Sequence, residues 1–118
     1  MKLETSGSTL LVRPDKDLDH YYASIIREKI DSCIKSGTIT KVIFDFSQVD
    51  FMDSSGIGII MGRYRLINAI NGSIGVFGLS NRLEKILTMA GLKRIINIYK
   101  SENEALLGED TNEESYNN

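Results

Sequence analysis

Hydrophobic and polar residues follow two different periods along this chain. Residues 3–5 and 9–12 are short strand-like runs on either side of a Ser-Gly-Ser segment, so they predict a β-hairpin. From Asp19 onward, hydrophobic positions recur at steps of three and four residues, the spacing of one face of an α-helix. Asp19 is the predicted N-cap of this helix and Gly37 its predicted end. The apolar face comprises Tyr22, Ile25, Ile26, Ile30, Cys33 and Ile34.

The rest of the chain alternates between strand-like and helical patterns. The run KVIFDF at 41–46 is rich in β-branched and aromatic residues and predicts a central strand covered on both faces. After a loop at 47–53, Ser54 or Ser55 opens a second helix that ends near residues 71–72. This alternation indicates an α/β domain with a mixed sheet covered by helices. The remaining predicted elements are strands at 73–77 and 94–99 and helices at 81–90 and 102–107.

Length and composition limit the classes of function. The 118 residues fit one domain, which we place at 1–108. Residues 109–118 are rich in acidic and amide side chains without apolar periodicity, so we expect a mobile acidic tail. A formal net charge of -2 leaves no broad basic field, and a nucleic-acid partner is not expected.

Targeting signals and cysteine content further limit the expected location and chemistry of the protein. The chain has no secretory signal pattern and no run of about 20 apolar residues, so we expect a cytoplasmic protein without a membrane partner. Cys33 is the single cysteine, lies outside any zinc-binding spacing and is expected to be a buried, inert thiol. No metal or other cofactor is predicted.

The segment FMDSSGIG at 51–58 places two serines at a predicted helix start, which raises the question of a nucleophile. A serine nucleophile needs a general base, and the one histidine, His20, lies near the start of the other helix. The G-x-S-x-G elbow of the α/β-hydrolases is absent. A triad of Ser54, His20 and an aspartate is therefore disfavoured, and no catalytic residue is predicted.

Nucleotide binding is a second hypothesis for the same segment. Residues 56–62 spell G-x-G-x-x-x-G, one residue away from the dinucleotide fingerprint. However, seven residues separate strand and helix, Asp53 would repel a pyrophosphate, and the motif has no lysine for a phosphate. A small nucleotide-binding domain remains the alternative from another class.

Capping and phosphorylation are the two remaining hypotheses. Asp53, Ser54 or Ser55 can each accept hydrogen bonds from the first turn of the helix, but one cap would suffice. A phosphate on a serine at this end is tolerated by the helix dipole, whereas it would repel a partner docking beside Asp53. The doubled serine therefore favours a binding module that is switched by phosphorylation.

Three segments together resemble the anti-sigma factor antagonists, whose domain is called STAS. They are VIFDFSQVDFMDSSGIGIIMGRY, the upstream DLDHYYA and the downstream GLKRIINIY, and the pattern is most similar to the antagonists of the anti-sigma-F factor in sporulating bacteria. The resemblance covers about residues 3–107. It implies a STAS-like single domain with a mixed sheet of four to five strands and about four helices.

The resemblance also implies a mechanism. The unmodified antagonist binds a nucleotide-bound anti-sigma factor, which releases its sigma factor, and the anti-sigma factor is also a kinase that uses ATP to phosphorylate Ser54. A separate serine phosphatase reverses the modification. A STAS domain serving another signalling partner is the alternative within the family.

Site roles are implied residue by residue. The family has a glycine where this chain has Lys16, which brings the geometry of that turn into question because lysine disfavours positive φ. The other implied roles are partner contact for Asp19, a hold on the acceptor loop for Asp53, a capping or shaping role for Ser55, space for a partner at Gly56 and Gly58, and a basic position near the interface for Arg63.

Overall fold

The computed structural model describes residues 1–107, and the predicted tail at 109–118 lies outside them. Five strands and four α-helices alternate in the predicted order, which confirms the mixed α/β fold. The elements are β1 (Lys2–Ser6), β2 (Thr9–Arg13), α1 (His20–Ile34), β3 (Lys41–Asp45), α2 (Ser54–Asn68), β4 (Ser73–Phe77), α3 (Asn81–Met89), β5 (Asn97–Ile98) and α4 (Glu102–Leu107).

The five strands form one sheet in the order β1-β2-β3-β4-β5. The predicted hairpin is confirmed: β1 and β2 are antiparallel, and Ser6 faces Thr9 across a two-residue turn in which Gly7 has φ +59°. All other neighbours are parallel. The carboxyl ends of β2, β3 and β4 therefore meet at one edge of the sheet, where the loops leading to α1, α2 and α3 begin.

Both faces of the sheet are covered, as the KVIFDF run predicts. In β3, Val42, Ile43 and Phe44 are all fully buried, although their side chains alternate between faces. On one face Val42 and Phe44 join the large core that α1, α2 and α3 complete. On the other face Ile43 belongs to a smaller cluster that includes Ala105 of α4. The arrangement places α1 beside α2, and that pair carries the site described below.

Two details differ from the expectations. Cys33 packs against the large core but is only half-buried, whereas the sequence predicted a fully buried thiol. The predicted strand at 94–99 is reduced to the two residues of β5, because Leu92–Arg94 form a 3-10 turn and Ile96 donates its backbone N–H to the Leu92 carbonyl at 3.1 Å. Leu92 is fully buried, so the apolar run fills the core instead of extending the sheet.

Candidate functional site

The loops that precede α1 and α2 are joined by main-chain hydrogen bonds. Leu18 and Met52 form an isolated parallel bridge, in which Leu18 donates to the Phe51 carbonyl and Asp53 donates to the Leu18 carbonyl, each at 3.2 Å. Both central side chains, Leu18 and Met52, are about 1% exposed, so the bridge is anchored in the core. The N-termini of α1 and α2 are consequently held side by side.

Asp17 adds a side-chain clamp to this bridge. Its Oδ1 accepts hydrogen bonds from the backbone N–H groups of Asp50 at 2.8 Å and Phe51 at 3.1 Å. The neighbouring Lys16 does not adopt positive φ, since Asn71 is the only non-glycine residue with positive φ among residues 1–107. The turn therefore has no need of glycine, which removes the doubt raised by the sequence.

An aspartate caps each of the paired helices. Asp19 Oδ1 accepts from the backbone N–H of Tyr22 at 2.8 Å, which confirms the predicted N-cap of α1. Asp53 Oδ1 accepts from Ser55 at 2.8 Å and from Gly56 at 3.4 Å. The first turn of α2 is thus capped by Asp53, and neither serine hydroxyl is needed for that purpose.

The two serines have different surroundings. Ser54 is the first residue of α2, is exposed, and its hydroxyl makes no hydrogen bond within the described part of the chain. Ser55 is half-buried, and its Oγ lies 3.0 Å from Nδ1 of His20, the first residue of α1. The Ser54 hydroxyl is therefore free to rotate, whereas the hydroxyl of the adjacent Ser55 already has a hydrogen-bond partner.

The glycines of the motif also divide into two kinds. Gly56 is buried, and a Cβ added there would lie 2.8 Å from Met52 Cβ and 3.2 Å from Leu18 Cβ. Gly58 is exposed, and a Cβ added there would meet nothing within 4 Å. The expectation that Gly56 makes space for a partner is corrected, because its missing side chain makes room for this chain's own loop.

Arg63 lies inside the junction of the two helices. Only 8% of the residue is exposed, and its Nε lies 2.9 Å from Asp31 Oδ1. The pair is an ion contact without hydrogen-bond geometry, since both atoms lack a hydrogen-bond partner among the described residues. Burial lowers the pKa of Arg63; Asp31 opposes that shift, and the nearby Arg27 adds to it.

A shallow groove of about 380 Å³ runs between α1 and α2 and reaches the paired N-termini. His20 and Ser55 line one end of it, and Gly58 borders it. Arg27 and Arg63 contribute two guanidinium groups, so the groove presents hydrogen-bond donors. A partner that covers the start of α2 would therefore meet a polar, basic surface next to Ser54.

Hydrolytic and metal chemistry find no support in the described residues. The contact with Ser55 is the one hydrogen bond of the His20 ring within residues 1–107, so no carboxylate orients the ring as a triad requires. In the same range no cluster of three or more histidine, cysteine, aspartate or glutamate side chains could hold a metal ion. None of the described helices is long and apolar enough to cross a membrane.

Some site residues escaped the sequence prediction. Asp17, Leu18 and Met52 build the bridge between the loops, and His20 engages Ser55. The clamp by Asp17 had no local signal, since Asp50 lies 33 residues further along the chain. The proximity of His20 to Ser55 had no local signal, since 35 residues separate them.

Comparison with known proteins places this arrangement among characterised domains. The model of the STAS domain family matches residues 1–105. The anti-sigma F factor antagonist of Paenibacillus polymyxa is 34% identical over 106 residues, which cover 90% of this chain and 91% of the relative.

Two solved structures of SpoIIAA, described as an anti-sigma factor antagonist, share the fold at 33% identity. The unphosphorylated form has a TM-score of 0.80 and matches 89% of this chain and 91% of its own. The phosphorylated form, described as a Bacillus cell fate determinant, has a TM-score of 0.73 and matches 89% and 95%.

Proposed function

The chain belongs to the anti-sigma factor antagonists of the STAS domain family, and we propose that its unmodified form binds an anti-sigma factor that is also a kinase. Binding makes that partner, which carries a nucleotide, release its sigma factor. Phosphorylation of Ser54 ends the interaction, and a separate serine phosphatase restores it. In this role the chain is a regulator and not an enzyme, and it acts in the cytoplasm without a nucleic-acid or membrane partner.

The observation that carries the proposal is the state of Ser54. Its hydroxyl is exposed, stands at the first position of α2 and has no hydrogen bond in the described part of the chain. An acceptor for phosphoryl transfer must turn its oxygen towards the γ-phosphorus of ATP. That oxygen attacks the phosphorus, ADP leaves, and the hydroxyl proton passes to a base of the kinase.

The electrostatics of the site support a switch that leaves the fold intact. Phosphoserine brings about -1.5 to -2 charges, which the N-terminal end of a helix dipole accommodates. The same charge lies beside Asp53 and would have to be desolvated by any partner that covers the start of α2. Binding is therefore lost while the domain stays folded, and a related protein has been solved in both phosphorylation states.

The partner surface that we propose is centred on the paired N-termini. Asp19 is exposed, and only one of its oxygens accepts the capping hydrogen bond, so the other is available to a partner. Asp53 holds the acceptor loop and contributes negative charge. Ser55 and the exposed Gly58 border the groove, and Arg63 lines it from within.

The nucleotide-binding alternative is disfavoured by the cap. A phosphate at the start of α2 would need the backbone N–H groups of the first turn, but Asp53 already accepts from Ser55 and Gly56. The carboxylate would also repel the phosphate. The start of α2 is therefore suited to receive a phosphoryl group covalently on Ser54 and unsuited to bind a nucleotide.

Phosphosite mapping by mass spectrometry tests the proposed switch. The protein is purified from its native cells during growth and during starvation. We expect one phosphoryl group on Ser54 that disappears on starvation, and none in a Ser54→Ala variant. Absence of phosphate from Ser54 under both conditions would refute the switch and leave the STAS fold with another partner.

A further inference from the structure

The contact between His20 and Ser55 bears on a question that the proposed function leaves open, namely how one of two adjacent hydroxyls is selected. We infer that His20 is a specificity-determining residue: its imidazole holds the Ser55 hydroxyl and so directs phosphoryl transfer to Ser54. The inference rests on the proposed function, since it assumes that a kinase acts at this helix start. His20 is a positioning residue and takes no part in the chemical step.

The geometry engages the Ser55 oxygen in either tautomer of the ring. When Nδ1 is unprotonated, Ser55 donates its O–H to it; when Nδ1 carries the proton, the ring donates to Oγ. At 3.0 Å both arrangements are ordinary hydrogen bonds. To present its oxygen in line with a γ-phosphorus, Ser55 would first have to give up this bond.

The burial of Ser55 also favours phosphoryl transfer to Ser54. Ser55 is half-buried at the end of the groove between α1 and α2, and its backbone N–H is fixed by Asp53. Ser54 is exposed one residue earlier and has no hydroxyl hydrogen bond among residues 1–107. The Ser54 oxygen is therefore the more accessible to the kinase, because the Ser55 oxygen is partly buried and hydrogen-bonded.

The loop bridge supplies the alignment that the contact needs. His20 opens α1 and Ser55 is the second residue of α2, and the pairing of Leu18 with Met52 sets the two helix starts against each other. Asp17 tightens the same junction through Asp50 and Phe51. The imidazole thus reaches Ser55 because the backbone places it there, and a change of side chain at His20 leaves that frame in position.

A base beside a serine can also activate it, and this alternative predicts the opposite outcome. Activation would favour phosphate on Ser55, and loss of the imidazole would reduce it. Activation of a nucleophile generally relies on a third group that orients the base, and within the described residues His20 has no such partner. We therefore assign His20 the holding role.

The test maps phosphate on both serines in tagged copies expressed in the native cells. Because the two positions are adjacent, each variant is also made in a Ser54→Ala background, where any phosphate at the motif must lie on Ser55. For the wild type we expect phosphate on Ser54 and little on Ser55. His20→Ala should raise the amount of phosphate on Ser55 about fivefold, the factor that corresponds to one ordinary hydrogen bond.

Two further variants separate the hydrogen bond from a general disturbance. His20→Asn places an amide atom close to the position of Nδ1 and should restore the wild-type distribution. Glu28→Ala, on an exposed part of the same helix, should leave the distribution unchanged. Rescue by asparagine would be unexpected if the ring served only to stabilise the helix.

The outcomes distinguish this inference from the proposed function. Phosphate confined to Ser54 in wild type and in His20→Ala overturns the inference and leaves the switch intact. Phosphate mainly on Ser55 in wild type overturns it in favour of activation and also moves the acceptor of the proposed switch from Ser54 to Ser55. Absence of phosphate from both serines in every variant overturns both, because no transfer then exists to be directed.

Discussion

The Nε atom of Arg63 lies 2.9 Å from Oδ1 of Asp31, and this ion pair joins the middle of α2 to the last turns of α1. The arginine side chain is 10% exposed and the aspartate 32%, so the pair is covered on one side and open on the other. It lies between the two helices that border the groove. Removal of one partner should therefore lower the free energy of unfolding.

Asp31→Asn tests that expectation. The substitution leaves the Arg63 guanidinium buried without a counter-charge, and we expect the free energy of unfolding to fall by about 1–2 kcal/mol, less than for a fully enclosed pair. Urea unfolding monitored by circular dichroism measures it. Glu28→Gln removes an exposed carboxylate from the same helix and should change stability little. Equal behaviour of the two variants would contradict a structural role for the pair.

Ser54→Asp should separate folding from binding. The variant carries a charge beside Asp53 at a helix start that tolerates it, so the unfolding midpoint should stay close to that of the wild type. Affinity for the anti-sigma factor should fall at least tenfold because the interface must desolvate the added charge. Titration calorimetry against the purified partner measures the change. Asn68→Asp adds the same charge at the exposed far end of α2 and should bind normally.

Ser54→Ala should bind the partner and resist release. The Ser54 oxygen is then missing and the Ser55 hydroxyl is held by His20, so little phosphoryl transfer is expected and addition of ATP should leave the complex assembled. Gel filtration before and after ATP addition reports the result. Displacement of this variant by ATP would place the acceptor elsewhere in the chain.

Gly56 and Gly58 offer a matched pair of alanine substitutions. Gly56→Ala brings a methyl group to 2.8 Å from Met52 Cβ, so we expect a loss of about 1–3 kcal/mol in the free energy of unfolding. Gly58→Ala meets nothing within 4 Å and should gain up to about 1 kcal/mol through helix propensity. Thermal unfolding of both variants measures the difference. Destabilisation by both, to a similar degree, would show that the loss at Gly56 does not come from the contact with Met52.

Acid should weaken the fold through the Arg13 cluster at the ends of β2 and β3. Arg13 Nη1 donates to Asp45 at 2.7 Å and to Glu102 at 2.7 Å. Burial raises the pKa of Asp45, but hydrogen bonds from Ser47 and Arg13 outweigh it and set the pKa below its ordinary value. The hydrogen bond from Arg13 likewise lowers the pKa of Glu102. Both carboxylates therefore bind protons less readily in the folded state.

The sign of the pH dependence follows. The contribution of these groups is complete above their unfolded pKa values of about 4 and disappears as the pH falls through the lower folded values. Urea midpoints measured between pH 7 and pH 3 should decline, and the decline should be shallower for Asp45→Asn. Glu28→Gln, which alters an exposed carboxylate, should follow the wild-type curve. A midpoint that stays constant to pH 3 would show that the cluster does not stabilise the fold.

Periodicity and capping were sufficient to predict the helices of the site. The spacing of Tyr22, Ile26 and Ile30 identifies the buried face of α1, and all three are buried in the structure. Asp19 and Asp53 cap through hydrogen bonds within three residues, so their signals are local. The prediction succeeded where the physical cause lies within one element.

The parts that could not be predicted depend on how elements meet. Main-chain hydrogen bonds between Leu18 and residues 51–53 bring His20 to Ser55, and main-chain bonds leave no trace in side-chain identity. Arg63 reads as a polar position on α2, and its burial follows from the proximity of α1 and the carboxylate of Asp31. That the Ser54 hydroxyl is not used as a cap likewise becomes clear only in the structure, where Asp53 accepts the hydrogen bonds of the first turn.

The hairpin strand β1 has a consequence for how the molecule behaves at high concentration. It lies at the margin of the sheet and pairs with β2 alone in the described part of the chain. Lys2 and Glu4 form an ion pair there at 3.3 Å, and Glu4 also contacts Arg13 at 3.1 Å. Charged side chains on a marginal strand discourage the addition of a strand from another molecule. Copies of the chain at high concentration are thus discouraged from polymerising edge to edge.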